Sequence, residues 1–122
     1  MYHTTDRLNI DELDSRDPFE VDAKNWPHLF KHFFQRGGRP VRIGLEEIMD
    51  LYIWDAARYY PADLAAGNAH WLMVGDVEGI IVCVPLAPSR SGDAKKCRPI
   101  GIYQAAAEEV KSYLRDVGRR RR

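Results

Sequence analysis

The stretch His-Trp-Leu-Met-Val-Gly-Asp-Val-Glu-Gly-Ile-Ile-Val-Cys-Val, residues 70–84, decides the fold class of this chain. Residues 70–74 alternate as a half-buried strand does, whereas residues 80–84 form a continuous apolar run that is typical of a central strand covered on both faces. Between them, Asp76-Val77-Glu78-Gly79 favours a tight hairpin loop. The sequence therefore predicts an antiparallel β-hairpin at the centre of the domain.

Helical patterns lie on both sides of this hairpin. Trp26, Leu29, Phe30 and Phe33 recur at the spacing of an amphipathic helix, which we predict over residues 25–35. We interpret Gly37 and Gly38 as the end of this helix. The remaining predicted elements are a helix over 44–57, a strand over 98–102 and a helix over 104–117. The predicted class is α+β, with two N-terminal helices, an antiparallel β-meander of three to four strands and a C-terminal helix. Six side chains are expected in the core: Phe30, Leu45, Leu72, Ile81, Val82 and Leu114.

Length and composition indicate one small domain. The chain has 122 residues. We predict a flexible acidic arm over residues 1–18, a single domain over 19–118 and a basic tail over 119–122. The tail is interpreted either as a disordered end or as an electrostatic tether. No apolar run approaches the roughly 18 residues of a membrane span. No apolar stretch near the start suggests a secretory signal, so we expect a cytoplasmic protein without membrane contact.

The charges balance in number but are unevenly placed. Lys+Arg and Asp+Glu both number 18, which counts against non-specific nucleic-acid binding by the whole surface. Residues 1–22 hold seven acids against two arginines, and the balance from Lys24 onward is basic. Cys83 and Cys97 lack the spacing of a zinc site and are expected to be reduced and buried.

Two groups of polar residues are candidates for chemistry. His28 and His32 lie four residues apart on the first predicted helix, beside Lys31. This group indicates one of three things: a solvated face, a role in proton transfer or phosphate contact, or a pair of metal ligands that lacks a third ligand. The second group is the cationic loop and the strand after it, which indicate either a phosphate-binding patch or a solvated loop. Its cations are Arg90, Lys95, Lys96 and Arg98. Two residues that open another strand, His70 and Trp71, are expected at the same sheet edge, where Trp71 either stacks a base or simply packs.

Several segments resemble a known family. Phe19-Glu20-Val21-Asp22-Ala23-Lys24-Asn25, followed by His28-Leu29-Phe30-Lys31-His32, resembles the opening of the BrnT-like type II toxins. Further segments match in the same order. They are the helix start at 44–48, the strand at 70–75, the Arg-hydrophobic strand at 98–103 and a final helix that contains Tyr113. The resemblance extends over residues 19–115.

The resemblance implies a RelE-like fold and a metal-independent endoribonuclease that inhibits translation and growth and is restrained by a cognate antitoxin protein. By this resemblance Lys31 and Arg98 hold the phosphate, His32 is the base or acid, and Tyr103 is a substitute donor. RNA would contact Arg90, Lys95, Lys96, Trp71 and His70. No cofactor or metal is expected, and a homodimer is possible.

The sequence also departs from the family pattern. Phe33 stands where a glycine usually follows the Lys-His pair, Tyr103 replaces a second arginine, and the strand arginine expected near His70 is absent. These departures leave a second hypothesis, a non-catalytic protein-binding module of the same fold. A small-ligand or structural role is a third.

Overall fold

The computed structural model describes residues 7–29, 32–62 and 68–120, with backbone only at His32, Arg119 and Arg120. Beyond a single 3-10 turn at Ile10–Glu12, the elements in chain order are α1 (Trp26–Leu29), β1 (His32–Arg36), β2 (Arg39–Ile43), α2 (Leu45–Ile53), β3 (Ala57–Pro61), β4 (Trp71–Val77), β5 (Ile80–Pro88), β6 (Cys97–Pro99), β7 (Tyr103–Gln104) and α3 (Ala107–Arg120). None of the helices in these ranges is long and apolar enough to cross a membrane.

The central hairpin forms as predicted. β4 and β5 pair antiparallel, from Trp71 opposite Leu86 to Val77 opposite Ile80. The turn is tighter than expected, because only Glu78 and Gly79 lie between the strands, with φ values of 51° and 90°. Such a pair of positive φ angles matches the twist of a two-residue hairpin.

A five-stranded antiparallel sheet grows from this hairpin. Its order is β3-β4-β5-β6, and β7 also pairs with β5. β6 lies opposite Leu86–Pro88 and β7 lies opposite Val82 and Cys83, so both follow the same edge of β5. The predicted strand over 98–102 is therefore an edge strand interrupted between Pro99 and Tyr103. The class is α+β with antiparallel sheets, as predicted.

Both faces of the sheet are covered. On one face, Met73, Val82 and Val84 are fully buried in a cluster that includes Ile48 and Leu51 of α2. On the other face, Val74 and Cys83 pack against Tyr113 of α3. The continuous apolar run of β5 follows from this double burial, as its sequence indicates.

The prediction of two N-terminal helices is wrong. The helix expected over 25–35 is only one turn, α1, and it is followed by an antiparallel hairpin in which β1 pairs with β2. Gly37 and Gly38, interpreted as a helix end, have φ values of 60° and 79° and form the two-residue turn of this hairpin. Phe33 is 61% exposed and is not part of a core stripe.

The second helix is confirmed but shorter. α2 ends at Ile53, and Asp55 has a φ of 53°, which breaks the helical backbone. Residues 57–61, predicted as helix end and turn, form edge strand β3, which the β-favouring pair Tyr59-Tyr60 suits. The last helix begins at Ala107 and continues through Arg120, so its backbone includes two of the four residues predicted as a tail.

The core prediction was partly right. Val82 is fully buried, and Leu45, Leu72 and Ile81 are half-buried, whereas Leu114 is 56% exposed and is not a core residue. Tyr113 occupies the core position instead and is 7% exposed. Neighbouring helix residues are separated by about 100°, so the burial of Tyr113 turns Leu114 toward solvent. Phe30 lies outside the described residues.

Residues 7–18, which belong to the predicted flexible acidic arm over 1–18, contact the domain. Leu13 is buried in the main core cluster. Asp14 N–H donates to the carbonyl of Lys95 at 2.9 Å, and Arg7 donates to the carbonyl of His70 at 2.8 Å. Residues 1–6 lie outside the described residues.

Candidate functional site

The predicted cationic loop lies against the acidic segment that precedes α1. A parallel bridge between Phe19 and Cys97 brings the two together. Arg90 Nε contacts Asp22 Oδ2 at 2.8 Å, and Lys96 Nζ contacts Asp17 Oδ2 at 2.9 Å. Two of the cations predicted to bind RNA are therefore neutralised by carboxylates of the chain itself.

Glu20 is the centre of this contact. Its carboxylate accepts hydrogen bonds from the Ser89 hydroxyl at 2.6 Å and from Arg90 N–H at 2.8 Å. These bonds, the Ser89 bond first, lower the pKa of Glu20 below its ordinary value. The pKa of Asp22 is lowered chiefly by the N–H of Asn25. The pKa of Lys96 is raised, first by its hydrogen bond to Asp17. All three groups are held in their charged forms.

Arg98 is also engaged within the chain. It is half-buried, and its Nε donates to the carbonyl of Pro88 at 3.0 Å. This bond uses one of the five guanidinium donors and holds the side chain along the sheet edge. Lys95 is exposed and takes part in no ion pair among residues 7–29, 32–62 and 68–120.

The interruption of the edge strand changes where Tyr103 lies. Simple alternation along the predicted strand would place Tyr103 on the opposite face from Arg98. Arg98 pairs with Ala87 and Tyr103 pairs with Cys83, and these two β5 residues are four apart. Arg98 and Tyr103 therefore lie on the same sheet face. Tyr103 is 53% exposed.

His70 and Trp71 are covered by the start of the described chain. Leu8 N–H donates to His70 Nδ1 at 2.9 Å, and the indole N–H of Trp71 donates to the carbonyl of Leu8. The guanidinium of Arg7 lies 5.9 Å from the Trp71 ring centroid. Burial, followed by the charge of Arg7, lowers the pKa of His70. These contacts occupy the indole N–H and one nitrogen of the imidazole.

The structure describes the Lys-His pair only in part. Lys31 lies outside the described residues, and only the backbone of His32 is described, at the start of β1. Phe34 of β1 packs on the core cluster that contains Met73 and Val84. Arg98 lies on the opposite face of the sheet, as its partner Ala87 does. The backbone of His32 therefore belongs to a hairpin that packs on the face opposite to the one that carries Arg98.

Two surface features were missed from the sequence. The first is a recess of about 440 Å³ at the tip of the β1–β2 hairpin, lined by Arg36, Arg39, Arg42, Glu47 and Glu78 among others. The pair Gly37-Gly38 between two extended stretches was the signal that could have revealed this hairpin. The second is a neighbouring recess of about 420 Å³. It is lined in part by Glu47, Asp50, Trp54, Asp76 and Glu78.

Neither cysteine offers a nucleophile. Both thiols are free and buried, as predicted. Burial raises the pKa of Cys83 to about 12 and that of Cys97 to about 12. Among residues 7–29, 32–62 and 68–120, no group of three His, Cys, Asp or Glu side chains is placed to hold a metal ion.

Comparisons with known protein families, with curated proteins and with solved structures find no match for this chain.

Proposed function

We propose that this chain is a non-catalytic protein-binding module, related in sequence pattern to the BrnT-like toxins and of a RelE-like fold. The observation that carries the proposal is the internal engagement of the expected RNA-binding cations. Arg90 and Lys96 pair with acids of the chain, and Arg98 donates to a backbone carbonyl. An RNA phosphate at Arg90 or Lys96 would have to compete with ion pairs of 2.8 and 2.9 Å that are already made.

The chemistry of RNA cleavage supports the same view. Metal-independent cleavage needs a base for the 2′-hydroxyl, cations for the charged phosphorane and an acid for the leaving oxygen, all within hydrogen-bond reach of one phosphate. Arg98 and Tyr103 share a face, whereas the backbone of His32 belongs to a hairpin that packs on the other side. This separation works against a complete catalytic set.

The face that carries Arg98 and Tyr103 suits contact with a protein. Tyrosine and arginine are among the residue types that most often dominate protein interfaces. Tyr103 is 53% exposed on an edge strand. Its hydroxyl lies so close to Gly101 that a Cβ added to this glycine would be 2.8 Å from the hydroxyl oxygen. This contact supports a fixed ring position, so Tyr103 would lose little conformational freedom on binding. The expected partner is a small protein that occupies the place of an antitoxin.

A ribonuclease remains the second candidate, and one observation favours it. The interrupted edge strand puts the Tyr103 hydroxyl on the same face as Arg98, where a donor and a cation could act on one phosphate. The two candidates use the same face, but they predict different effects on RNA.

Induced expression in a bacterial host separates the two functions. We expect wild-type protein to leave growth and total RNA unchanged, and we expect purified protein to leave a single-stranded RNA intact. Growth arrest with RNA cleavage that Arg98→Ala abolishes, in a variant that remains folded by circular dichroism, would establish the ribonuclease and overturn the proposal.

Calorimetry tests protein binding directly, with the product of a small gene adjacent to this one as the titrant. Tyr103→Ala should weaken that binding at least about tenfold, the scale of an interface hot spot. Leu114→Ala, an exposed position on α3, is the matched control and should leave the affinity unchanged. Equal affinities for wild type and Tyr103→Ala would remove Tyr103 from the interface.

A further inference from the structure

The tips of two hairpins meet on one side of the molecule. Arg36, at the end of β1, extends its side chain across Gly79 in the β4–β5 turn. A Cβ added to Gly79 would lie 2.6 Å from Arg36 Cζ, so the contact depends on the glycine. The contact places the arginine-lined recess directly beside the recess that contains Trp54. We call the surface formed by the two recesses the tip surface.

Positive and negative side chains are separated on the tip surface. One recess presents three exposed arginines, Arg36, Arg39 and Arg42. The other presents Trp54 among four acids, Glu47, Asp50, Asp76 and Glu78. Glu47 and Glu78 line both recesses and mark the border between them.

These opposite charges do not pair with one another. Among residues 7–29, 32–62 and 68–120, no ion pair joins an arginine of the tip surface to one of its acids. Backbone groups engage two of the acids instead, because Glu47 Oε1 accepts from Gly44 N–H and Asp76 Oδ1 accepts from Gly79 N–H, each at 2.7 Å. All three arginines line the recess at exposed positions, and the side chain of Arg36 also lies against Gly79.

Trp54 adds an apolar centre to the acidic recess. It follows the last residue of α2 and is 76% exposed, the largest exposure of any large apolar side chain among the described residues. A tryptophan that is buried on association is a common source of interface energy, and its ring face attracts an arginine. The acidic recess is therefore suited to an arginine-bearing surface.

We propose that the tip surface binds the tip surface of a second copy of this chain in an isologous dimer. A two-fold arrangement would place each arginine recess over the acidic recess and Trp54 of the other copy. Adjacent patches of opposite charge make such a surface complementary to itself. A nucleic acid is the weaker occupant, because it has no cationic groups to pair with the four acids of the second recess. This inference does not depend on the proposed function.

A charge-swap experiment tests the dimer. Sedimentation of wild type should show a species of twice the 14.0 kDa chain mass, which dissociates as the salt concentration is raised. Arg39→Glu and Asp50→Arg change exposed positions, so both variants should fold, and each alone should be monomeric. An equimolar mixture of the two should recover the dimer, because both contacts in the heterodimer are again complementary. Lys111→Glu, an exposed position on α3, is the control and should leave the wild-type dimer intact.

Three results would overturn the proposal. The first is a wild type that is monomeric at concentrations on the order of 100 μM, far above the dissociation constant of a typical specific dimer. The second is a dimer that persists in both charge-reversal variants. The third is an equimolar mixture of the two variants that stays monomeric. The first result would leave the tip surface to a different partner. The second would place the dimer contact on another face.

Discussion

Asn25 should be a principal structural residue of this domain although it is polar. It is 5% exposed and is the buried polar residue of the described chain. Its Oδ1 accepts from Asp22 N–H at 2.7 Å, and its Nδ2 donates to the carbonyls of Glu20 and Pro99, each at 3.1 Å. One side chain thus joins the acidic segment before α1 to strand β6, which lies 74 residues away in sequence.

Replacing Asn25 with Ala removes all three hydrogen bonds. Each is worth about 0.5–1.5 kcal/mol net, and partly buried groups left without partners add to the loss. We therefore expect the free energy of unfolding to fall by about 2–4 kcal/mol, which corresponds to roughly 10 °C in the thermal midpoint for a domain of this size. Urea unfolding followed by tryptophan fluorescence measures the change, and an unaltered slope would show that the unfolded state is unaffected.

Asn25→Asp sharpens the test. The carboxylate still accepts from Asp22 N–H, but its second oxygen faces the carbonyl oxygens of Glu20 and Pro99. The free energy of unfolding should therefore fall at least as much as for Asn25→Ala. Asn9→Ala is the matched control, because Asn9 is exposed and its side chain accepts one hydrogen bond, from Asp11 N–H at 3.0 Å. This variant should lower the free energy of unfolding by about 1 kcal/mol or less. A loss below about 0.5 kcal/mol for Asn25→Ala would refute the reasoning, because such a loss is typical of ordinary surface sites.

Four further expectations follow from burial and charge. Leu114→Ala should change stability by less than about 0.5 kcal/mol, whereas Tyr113→Ala should cost about 3 kcal/mol in the same denaturant melts. Deleting residues 1–17 removes a buried leucine and should lower stability by about 2 kcal/mol, so an unchanged thermal midpoint would contradict the packing. Hydrogen bonds hold the pKa of Glu20 below 4.5. The ionised Glu20 therefore stabilises the folded state above that pH, and this stabilisation is lost as the pH falls toward the folded-state pKa. Glu20→Gln should accordingly weaken the dependence of the free energy of unfolding on pH in this acid range. Both thiols, whose pKa values burial raises to about 12, should react with a disulfide reagent only after unfolding.

The centre of the sheet could be predicted from the sequence because its signals are local. The turn at Glu78-Gly79 lies between two runs of suitable period, and neighbouring strands need no distant information to pair. The position of α2 followed from its apolar spacing in the same way. The double burial of β5 could also be predicted, because a strand covered on both faces is apolar at every position.

The N-terminal region could not be predicted because helical spacing and strand alternation coincide there. Leu29 and Phe30 satisfy a helical stripe, whereas Phe34 and Val41 are partners across two strands, and the Gly37-Gly38 turn decides between helix and hairpin. We interpreted the glycines as a helix end rather than as a hairpin turn. The tip surface could not be predicted either, because its arginines lie beside Glu78 only when the β1–β2 and β4–β5 hairpins are both present.

The charge balance of the chain has a structural meaning that composition alone does not give. The cationic loop suggested a ligand site because local sequence shows only its near neighbours. The parallel bridge of Phe19 to Cys97, with Glu20 N–H donating to the Cys97 carbonyl at 2.7 Å, brings distant acids onto it. At this edge two cations, Arg90 and Lys96, form ion pairs with Asp22 and Asp17, whereas on the tip surface the opposite charges lie side by side and unpaired. The ion pairs of this loop are therefore suited to holding the fold together, whereas the tip surface retains the unpaired charges on which the proposed dimer depends.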